Sequence, residues 1–218
     1  MARTMLSSTR KHDFEEPNIG QIIIFCEGET EEYYFDYFAE IIRNKYNHII
    51  VETQTVGSDA QAVLDYADKF IGDVNNNRKY KDCDKYLVFD CDAPTNIQEI
   101  VNKTRGSDYI LLVTNYSFET WLLMYFEEVN VARKNFATIQ ELEKFLHDER
   151  YKKGSKGKVR EIIQNGDFER ASDNADRLMK TYSDSGLTIY SDIDKMNPYT
   201  NVHELVKQFM VVLSPNSR

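Results

Sequence analysis

The sequence turns abruptly from apolar to acidic in the stretch Ile22-Ile23-Ile24-Phe25-Cys26-Glu27-Gly28-Glu29-Thr30-Glu31. The same change occurs in the stretch Tyr86-Leu87-Val88-Phe89-Asp90-Cys91-Asp92. Apolar runs of this length are typical of strands that are buried on both faces of a parallel sheet. Because ligands of open α/β sheets collect at the carboxyl ends of such strands, we expect Glu27, Asp90 and Asp92 to meet at one edge of the sheet.

These three carboxylates would repel one another at a shared edge unless a cation lay between them. Asp90 and Asp92 are separated by one residue and can point the same way from an extended strand end. Such a pair suits hard cations such as Mg²⁺, which often takes only one or two protein carboxylates. The sequence therefore predicts a divalent-metal site for phosphate chemistry, with Glu27, Asp90 and Asp92 as metal ligands. The alternatives are a solvated acid in a strand-to-helix turn and an Asx turn leading into Pro94.

Composition narrows the class of protein. With 218 residues, 41% of them hydrophobic, the chain can build one domain with a proper core, or one domain with a smaller helical appendage. The net charge of −9 argues against a general nucleic-acid coat protein, which would be basic. The three cysteines are an odd number without metal-ligand spacing, which favours a reducing cytoplasm. No apolar run approaches the roughly 20 residues that a membrane span needs.

Strand and helix patterns alternate four times between residues 21 and 126. This alternation predicts an α/β fold with about four parallel strands, joined by right-handed crossovers and flanked by helices. Thr30 is expected to cap the first helix, and Asn75-Asn76-Asn77 to end the second. The expected strands are residues 21–26, 48–55, 85–90 and 108–114.

The chain is expected to have three parts. Residues 1–18 form a flexible N-terminal tail, residues 19–127 the α/β domain, and residues 128–218 a helical C-terminal extension packed on that domain. The extension shows no convincing strand pattern. Its helical patterns are residues 138–148, 158–164, 168–181 and 201–213.

A buried helix is expected directly after the fourth strand. Glu119 lies in its first turn, as a further catalytic or metal-binding group or as an acid that the helix dipole favours there. Trp121 follows in a segment that is apolar nearly all round, so we expect it in the core rather than as a stacking platform for bases.

Residues 151–160 form a basic segment, Tyr-Lys-Lys-Gly-Ser-Lys-Gly-Lys-Val-Arg, with five positive charges and no acid. In a chain of net charge −9 this charge is local. The segment is predicted to be a glycine-broken loop that clamps a nucleic-acid backbone, and a merely solvated loop is the alternative. The expected contacts are Lys152, Lys153, Lys156 and Lys158.

The acidic motifs resemble the Toprim domain, whose catalytic pattern is a glutamate after the first strand and an Asp-x-Asp after a later one. More closely, the chain resembles the RloB-like family, a group of Toprim-related bacterial proteins linked to defence loci. Two positions depart from the family pattern: Tyr116, where the family often has proline, and Cys91 at the centre of the Asp-x-Asp. The matching segments are residues 26–31, 90–92, 117–123 and 197–206.

The resemblance implies a Toprim-like fold and a Mg²⁺- or Mn²⁺-dependent nuclease of antiviral, abortive-infection defence, with Glu27, Asp90, Asp92 and Glu119 as catalytic residues. It also implies RNA such as tRNA as substrate, a cytoplasmic location and a regulatory partner such as an ATPase. Whether the protein forms a homodimer is left undecided. The residues themselves do not distinguish RNA from DNA. Two other classes stay open: a phosphotransfer or phosphatase-type enzyme that uses Asp90 and Asp92, and a catalytically silent regulatory or interaction module.

Overall fold

The computed structural model describes residues 19–57, 59–91, 96–147 and 151–214. The expected N-terminal tail and the expected site residue Asp92 lie outside these ranges. The division into an α/β domain and a helical extension at residue 127 stays a prediction. Within the described ranges, no helix combines the length and the apolar character that crossing a bilayer requires.

The sheet is mixed but mostly parallel. In the described residues its strands are β1 (Gln21–Cys26), β2 (Ile50–Thr55), β3 (Asp84–Asp90), β4 (Tyr109–Asn115) and β5 (Tyr199–Thr200). Their order across the sheet is β2-β1-β3-β4-β5. β1 pairs in parallel with β2 and β3, and β3 pairs in parallel with β4. The α/β class is confirmed, and β1 is an interior strand, as its uninterrupted apolar run predicts.

The last strand corrects the expectation of four strands and of a C-terminal part without strands. β5 pairs antiparallel with the end of β4. A strand of two residues is too short to show an apolar alternation in the sequence. Asn201 follows it, and its side chain accepts a bond from the Val113 amide and donates one to the Leu111 carbonyl, both at 2.8 Å. The C-terminal part is thereby fixed to β4.

Helices flank both faces of the sheet. Along β1, Ile22 and Ile24 point into one core, and Ile23 and Phe25 point into the other. The helices are α1 (Glu29–Lys45), α2 (Ala60–Gly72), α3 (Val74–Tyr80), α4 (Ile97–Lys103), α5 (Phe118–Met124), α6 (Asn135–Phe145), α7 (Lys156–Asn165), α8 (Phe168–Asp184), α9 (Ile189–Asp192) and α10 (Val202–Leu213). The first core includes residues of α1, α5, α6, α7, α8 and α10, and the second includes residues of α2, α3 and α4.

Two helix boundaries differ from the expectation. α1 is capped by Gly28, so Thr30 lies inside its first turn and does not cap it. The expected second helix is divided in two, because Asp73 accepts bonds from the amides of Asn75 and Asn76 and thereby starts α3. Asn75-Asn76-Asn77 therefore lie within α3 instead of ending a helix.

Candidate metal centre

Glu27 and Asp90 lie side by side at the carboxyl ends of two neighbouring strands. β1 and β3 pair so that Cys26 is opposite Val88. The Glu27 amide donates to the Val88 carbonyl at 3.0 Å, and the Glu27 Oε2 atom accepts a bond from the Asp90 amide at 3.1 Å. The sheet edge expected for these two residues is confirmed, and the third expected residue, Asp92, is not described.

Glu31 is a further carboxylate at this edge. It lies in the first turn of α1, is buried, and lines the same pocket as Glu27 and Asp90. An ideal Cβ on Gly28 would lie 2.8 Å from the Glu31 Oε2 atom. Glycine at this position therefore leaves room for the Glu31 carboxylate beside the turn. The pocket has a volume of about 250 Å³.

Glu119 approaches the cluster from α5. Glu119 is 1% exposed, and all seven residues of α5 are buried. Trp121 is fully buried and packs edge-on against Tyr34 and Tyr125, so the expectation of a core tryptophan is confirmed. The rigid packing of α5 holds the Glu119 carboxylate beside the end of the sheet.

Lys153 is the cation that the structure places among these acids. Its Nζ atom lies 3.0 Å from Glu119 Oε2 and 4.0 Å from Asp90 Oδ2. The next residue, Gly154, donates its amide to the Thr30 hydroxyl at 2.9 Å, which ties the segment to the first turn of α1. One lysine of the expected phosphate clamp thus contacts the carboxylate cluster itself.

The other lysines of the basic segment have different surroundings. Lys156 and Lys158 lie on α7, so half of the expected loop is helical. Lys156 Nζ is 5.8 Å from the centre of the Tyr33 ring, and Lys158 forms an ion pair of 2.9 Å with Glu161. Lys152 is exposed. These positions do not test whether the four lysines bind nucleic acid, and that role stays a prediction.

A comparison with protein-family profiles matches residues 22–209 to the family described as RloB-like protein. The chain belongs to the RloB-like family. The match extends from β1 into α10, and it confirms the family expected from the acidic and tryptophan-containing motifs. Comparisons with curated proteins and with solved structures gave no match.

Burial makes the acids of this RloB-like protein difficult to ionise together. Desolvation, followed by the charges of Glu31 and Glu119, raises the pKa of Asp90 well above its usual value. Desolvation raises the pKa of Glu31 to about 7, with smaller contributions from Glu119 and Glu27, while Lys153 acts in the opposite direction. Ionisation of all these acids at once would therefore give the cluster more negative charge than Lys153 compensates.

The donor atoms of the cluster suit a hard cation. Within the described residues, Asp90 Oδ1 and Glu119 Oε1 are buried and accept no hydrogen bond. Carboxylate oxygens are the ligands that Mg²⁺ and Mn²⁺ prefer. In the described ranges no three His, Cys, Asp or Glu side chains are grouped closely enough to hold a metal ion by themselves. An ion at Glu27 and Asp90 would therefore keep several waters, as Mg²⁺ commonly does, or use Asp92 in addition.

The sequence did not predict that Glu31 and Lys153 belong to the carboxylate cluster. Glu31 follows Glu27 by four residues, a spacing that brings a strand-end residue and a first-turn residue together when a glycine cap lies between them. The sequence gives no separate signal for this role, because the helix dipole alone favours an acid in the first turn of α1. Lys153 was expected to face a phosphate, and no local signal indicates that its segment folds back onto α1.

Metal-free stability is expected to fall as the pH rises through the range set by Glu31. Its folded pKa is about 7 and its ordinary value 4.5, so its ionisation in the folded state costs free energy. The cost is absent below pH 4.5 and reaches about 3 kcal/mol above pH 7. Urea unfolding in EDTA at pH 5 and pH 8 measures the difference. Glu31→Gln should reduce it, and the matched control Glu32→Gln, one residue further along α1, should not; equal pH dependence in all three proteins would contradict this assignment.

Proposed function

We propose that this protein is a metal-dependent phosphodiesterase with a Toprim-type carboxylate site. The observation that carries the proposal is the hydrogen bond of 3.1 Å from the backbone amide of Asp90 to Glu27 Oε2, which holds the Glu27 carboxylate at the end of β3, where both residues line one pocket. Glu31 and Glu119 surround them. Acids are concentrated in this way, at a cost in desolvation, where a cation is to be bound, and the cation can then bind a phosphate.

The residues have separate roles in this proposal. Glu27 and Asp90, with Asp92, would hold Mg²⁺ or Mn²⁺, and an ion held there would supply Lewis-acid polarisation of a phosphate and a more acidic water. Gly28 leaves room for the Glu31 carboxylate beside the turn between β1 and α1, and so keeps that acid next to the pocket. Glu119 would contact the waters of the ion, because its carboxylate already pairs with Lys153 at 3.0 Å. Glu27 can also act as the general base, because its carboxylate reaches into the pocket.

The substrate proposed is nucleic acid, with RNA such as tRNA favoured over DNA by the resemblance to defence effectors. Membership of the RloB-like family supports a role in antiviral defence in the cytoplasm, together with a regulatory partner such as an ATPase. The Toprim-like character of the fold is supported by the parallel order of β2, β1, β3 and β4 and by the acids at the ends of β1 and β3. The Toprim-like fold and the nuclease activity are both part of this proposal.

The direct test is an activity panel with the purified protein. End-labelled tRNA, single-stranded RNA and double-stranded DNA are incubated with Mg²⁺, Mn²⁺ or EDTA, and p-nitrophenyl phosphate reports the phosphatase alternative. Metal-dependent cleavage of a polynucleotide that EDTA stops is the expected result. Hydrolysis of p-nitrophenyl phosphate without cleavage of any polynucleotide would instead support a phosphatase. Inactivity on the entire panel, also with the co-expressed ATPase of a defence locus, would favour the silent regulatory module.

Replacing the exposed lysines should change the salt dependence of nucleic-acid binding. If Lys152 and Lys156 contact phosphates, the double variant Lys152→Ala, Lys156→Ala lowers the slope of log K against log salt by about 0.7–0.9 for each lost contact. Fluorescence anisotropy with labelled RNA at several salt concentrations measures the slope. The matched control is Lys180→Ala, which removes an exposed lysine of α8 that pairs with Asp184. An unchanged slope in the double variant would show that the segment is solvated only.

A further inference from the structure

We propose that the ammonium group of Lys153 is a built-in cation of the carboxylate cluster, which takes the place of a second divalent ion beside Glu119 and leaves one ion to Glu27 and Asp90. The inference rests on the proposed function, because it counts the divalent ions at that site. It also assigns to Lys153 a role different from the phosphate clamp that the sequence predicts. Lys153 is then a positioning residue, since it acts through the carboxylates that it neutralises.

Contact distances and burial carry the first step. Lys153 Nζ is 3.0 Å from a carboxylate oxygen of Glu119 whose side chain is 1% exposed, and 4.0 Å from Asp90, whose side chain is 6% exposed. Buried carboxylates without a compensating charge are strongly destabilising. The ammonium therefore compensates negative charge on the side of the cluster nearest α5, and this is the position that a second metal ion would occupy in its place.

The backbone around Lys153 is held in position on both sides. Tyr151 is buried, and its amide donates to the Glu143 carboxylate at 3.1 Å. Gly154 has a φ of +71°, which favours glycine, and an ideal Cβ there would lie 2.5 Å from the Glu29 carboxylate. With the bond from the Gly154 amide to Thr30, these contacts fix the segment over the cluster. A lysine that binds phosphates from solvent would not need a backbone held in place by these contacts.

The carboxylates that remain suit a single hydrated ion. Within the described residues no three potential ligands form an all-protein metal site, and the ammonium of Lys153 lies 3.0 Å from the Glu119 carboxylate. Asp90 Oδ1 is buried without a hydrogen bond in these ranges, and Glu27 lies beside it. The cluster thus has two sides. At Glu119 the charge is neutralised by Lys153, and at Glu27 and Asp90 there is a position for one cation.

Counting bound Mn²⁺ tests the inference. Isothermal titration calorimetry should find one ion per chain in the wild type, and a second ion in Lys153→Met, which keeps most of the aliphatic side chain but loses its charge. Lys153→Arg and the neighbouring control Lys152→Met should stay at one ion. Two ions in the wild type, or one ion with unchanged affinity in Lys153→Met, would overturn the proposal. Asp90→Asn tests the proposed function separately. This variant is expected to lose the first ion even if the lysine proposal fails.

Thermal melts in EDTA give a second, metal-independent readout. Lys153→Met should lower Tm by about 5 °C, because it leaves Glu119 without its cation. Adding Glu119→Gln to Lys153→Met should restore most of that loss, whereas Lys152→Met should leave Tm unchanged. Strictly additive effects of the two substitutions would contradict a charge pairing between Lys153 and Glu119. This readout decides on the lysine even if the wild type binds no Mn²⁺, a result that would reject the proposed function.

Discussion

Asp90→Asn is expected to lower metal-dependent cleavage at least about a thousandfold while leaving the fold intact. The substitution keeps the shape of the side chain but removes one negative charge from the group that would bind the ion. In metal-free buffer the variant should be as stable as the wild type or more stable, because burial and the neighbouring acids already oppose ionisation of Asp90. Cleavage rates of labelled RNA and melts in EDTA measure the two effects.

The matched control for this variant is Asp82→Asn. Asp82 lies just before β3, at the opposite end of that strand from Asp90, and its side chain is 84% exposed. Its substitution should change neither activity nor stability appreciably. An Asp90→Asn protein that unfolds far below the wild type in EDTA would show that Asp90 has a structural role instead.

Trp121→Ala is expected to cause the largest loss of stability, about 3–5 kcal/mol. Its ring is fully buried and lies edge-on against Tyr34, Tyr125 and Phe168, so the variant leaves a cavity between α1, α5 and α8. Urea unfolding monitored by circular dichroism measures the loss. Met210→Ala provides the comparison, because Met210 is 37% exposed on α10 and its loss should be much smaller.

The same variant separates a core role from a base-stacking role. At a temperature where Trp121→Ala is folded, binding of single-stranded RNA should match that of the wild type, because the buried ring cannot reach a base. A weaker affinity in the folded variant, together with little loss of stability, would contradict the placement of Trp121 in the core.

The strand ends of the site could be predicted from the sequence because their signal is local. An apolar run that stops at Glu27 or Asp90 indicates both the strand and the position where it leaves the sheet. The parallel pairing then follows from the alternation of strands and helices, and it brings both residues to one edge. Glu119 could be expected near them for the same reason, since it follows β4.

The contacts that could not be predicted depend on distant parts of the chain. Lys153 reaches the cluster because the Gly154 amide bonds to Thr30, 124 residues earlier. β5 forms because Asn201 binds the backbone of β4, and two residues carry no recognisable strand pattern. The start of α1 at Gly28 was missed because Thr30 is the stronger capping residue by propensity, while its hydroxyl is used by the Gly154 amide.

The central claim is that Glu27 and Asp90 hold a divalent cation at the ends of β1 and β3. The most direct measurement is anomalous diffraction at the manganese absorption edge from crystals of the wild type and of Asp90→Asn, both soaked in Mn²⁺. The account predicts an anomalous peak between the Glu27 and Asp90 carboxylates in the wild type and its loss in the variant. A wild type that cleaves nucleic acid with no peak at this position, or a variant that keeps the peak, would contradict it.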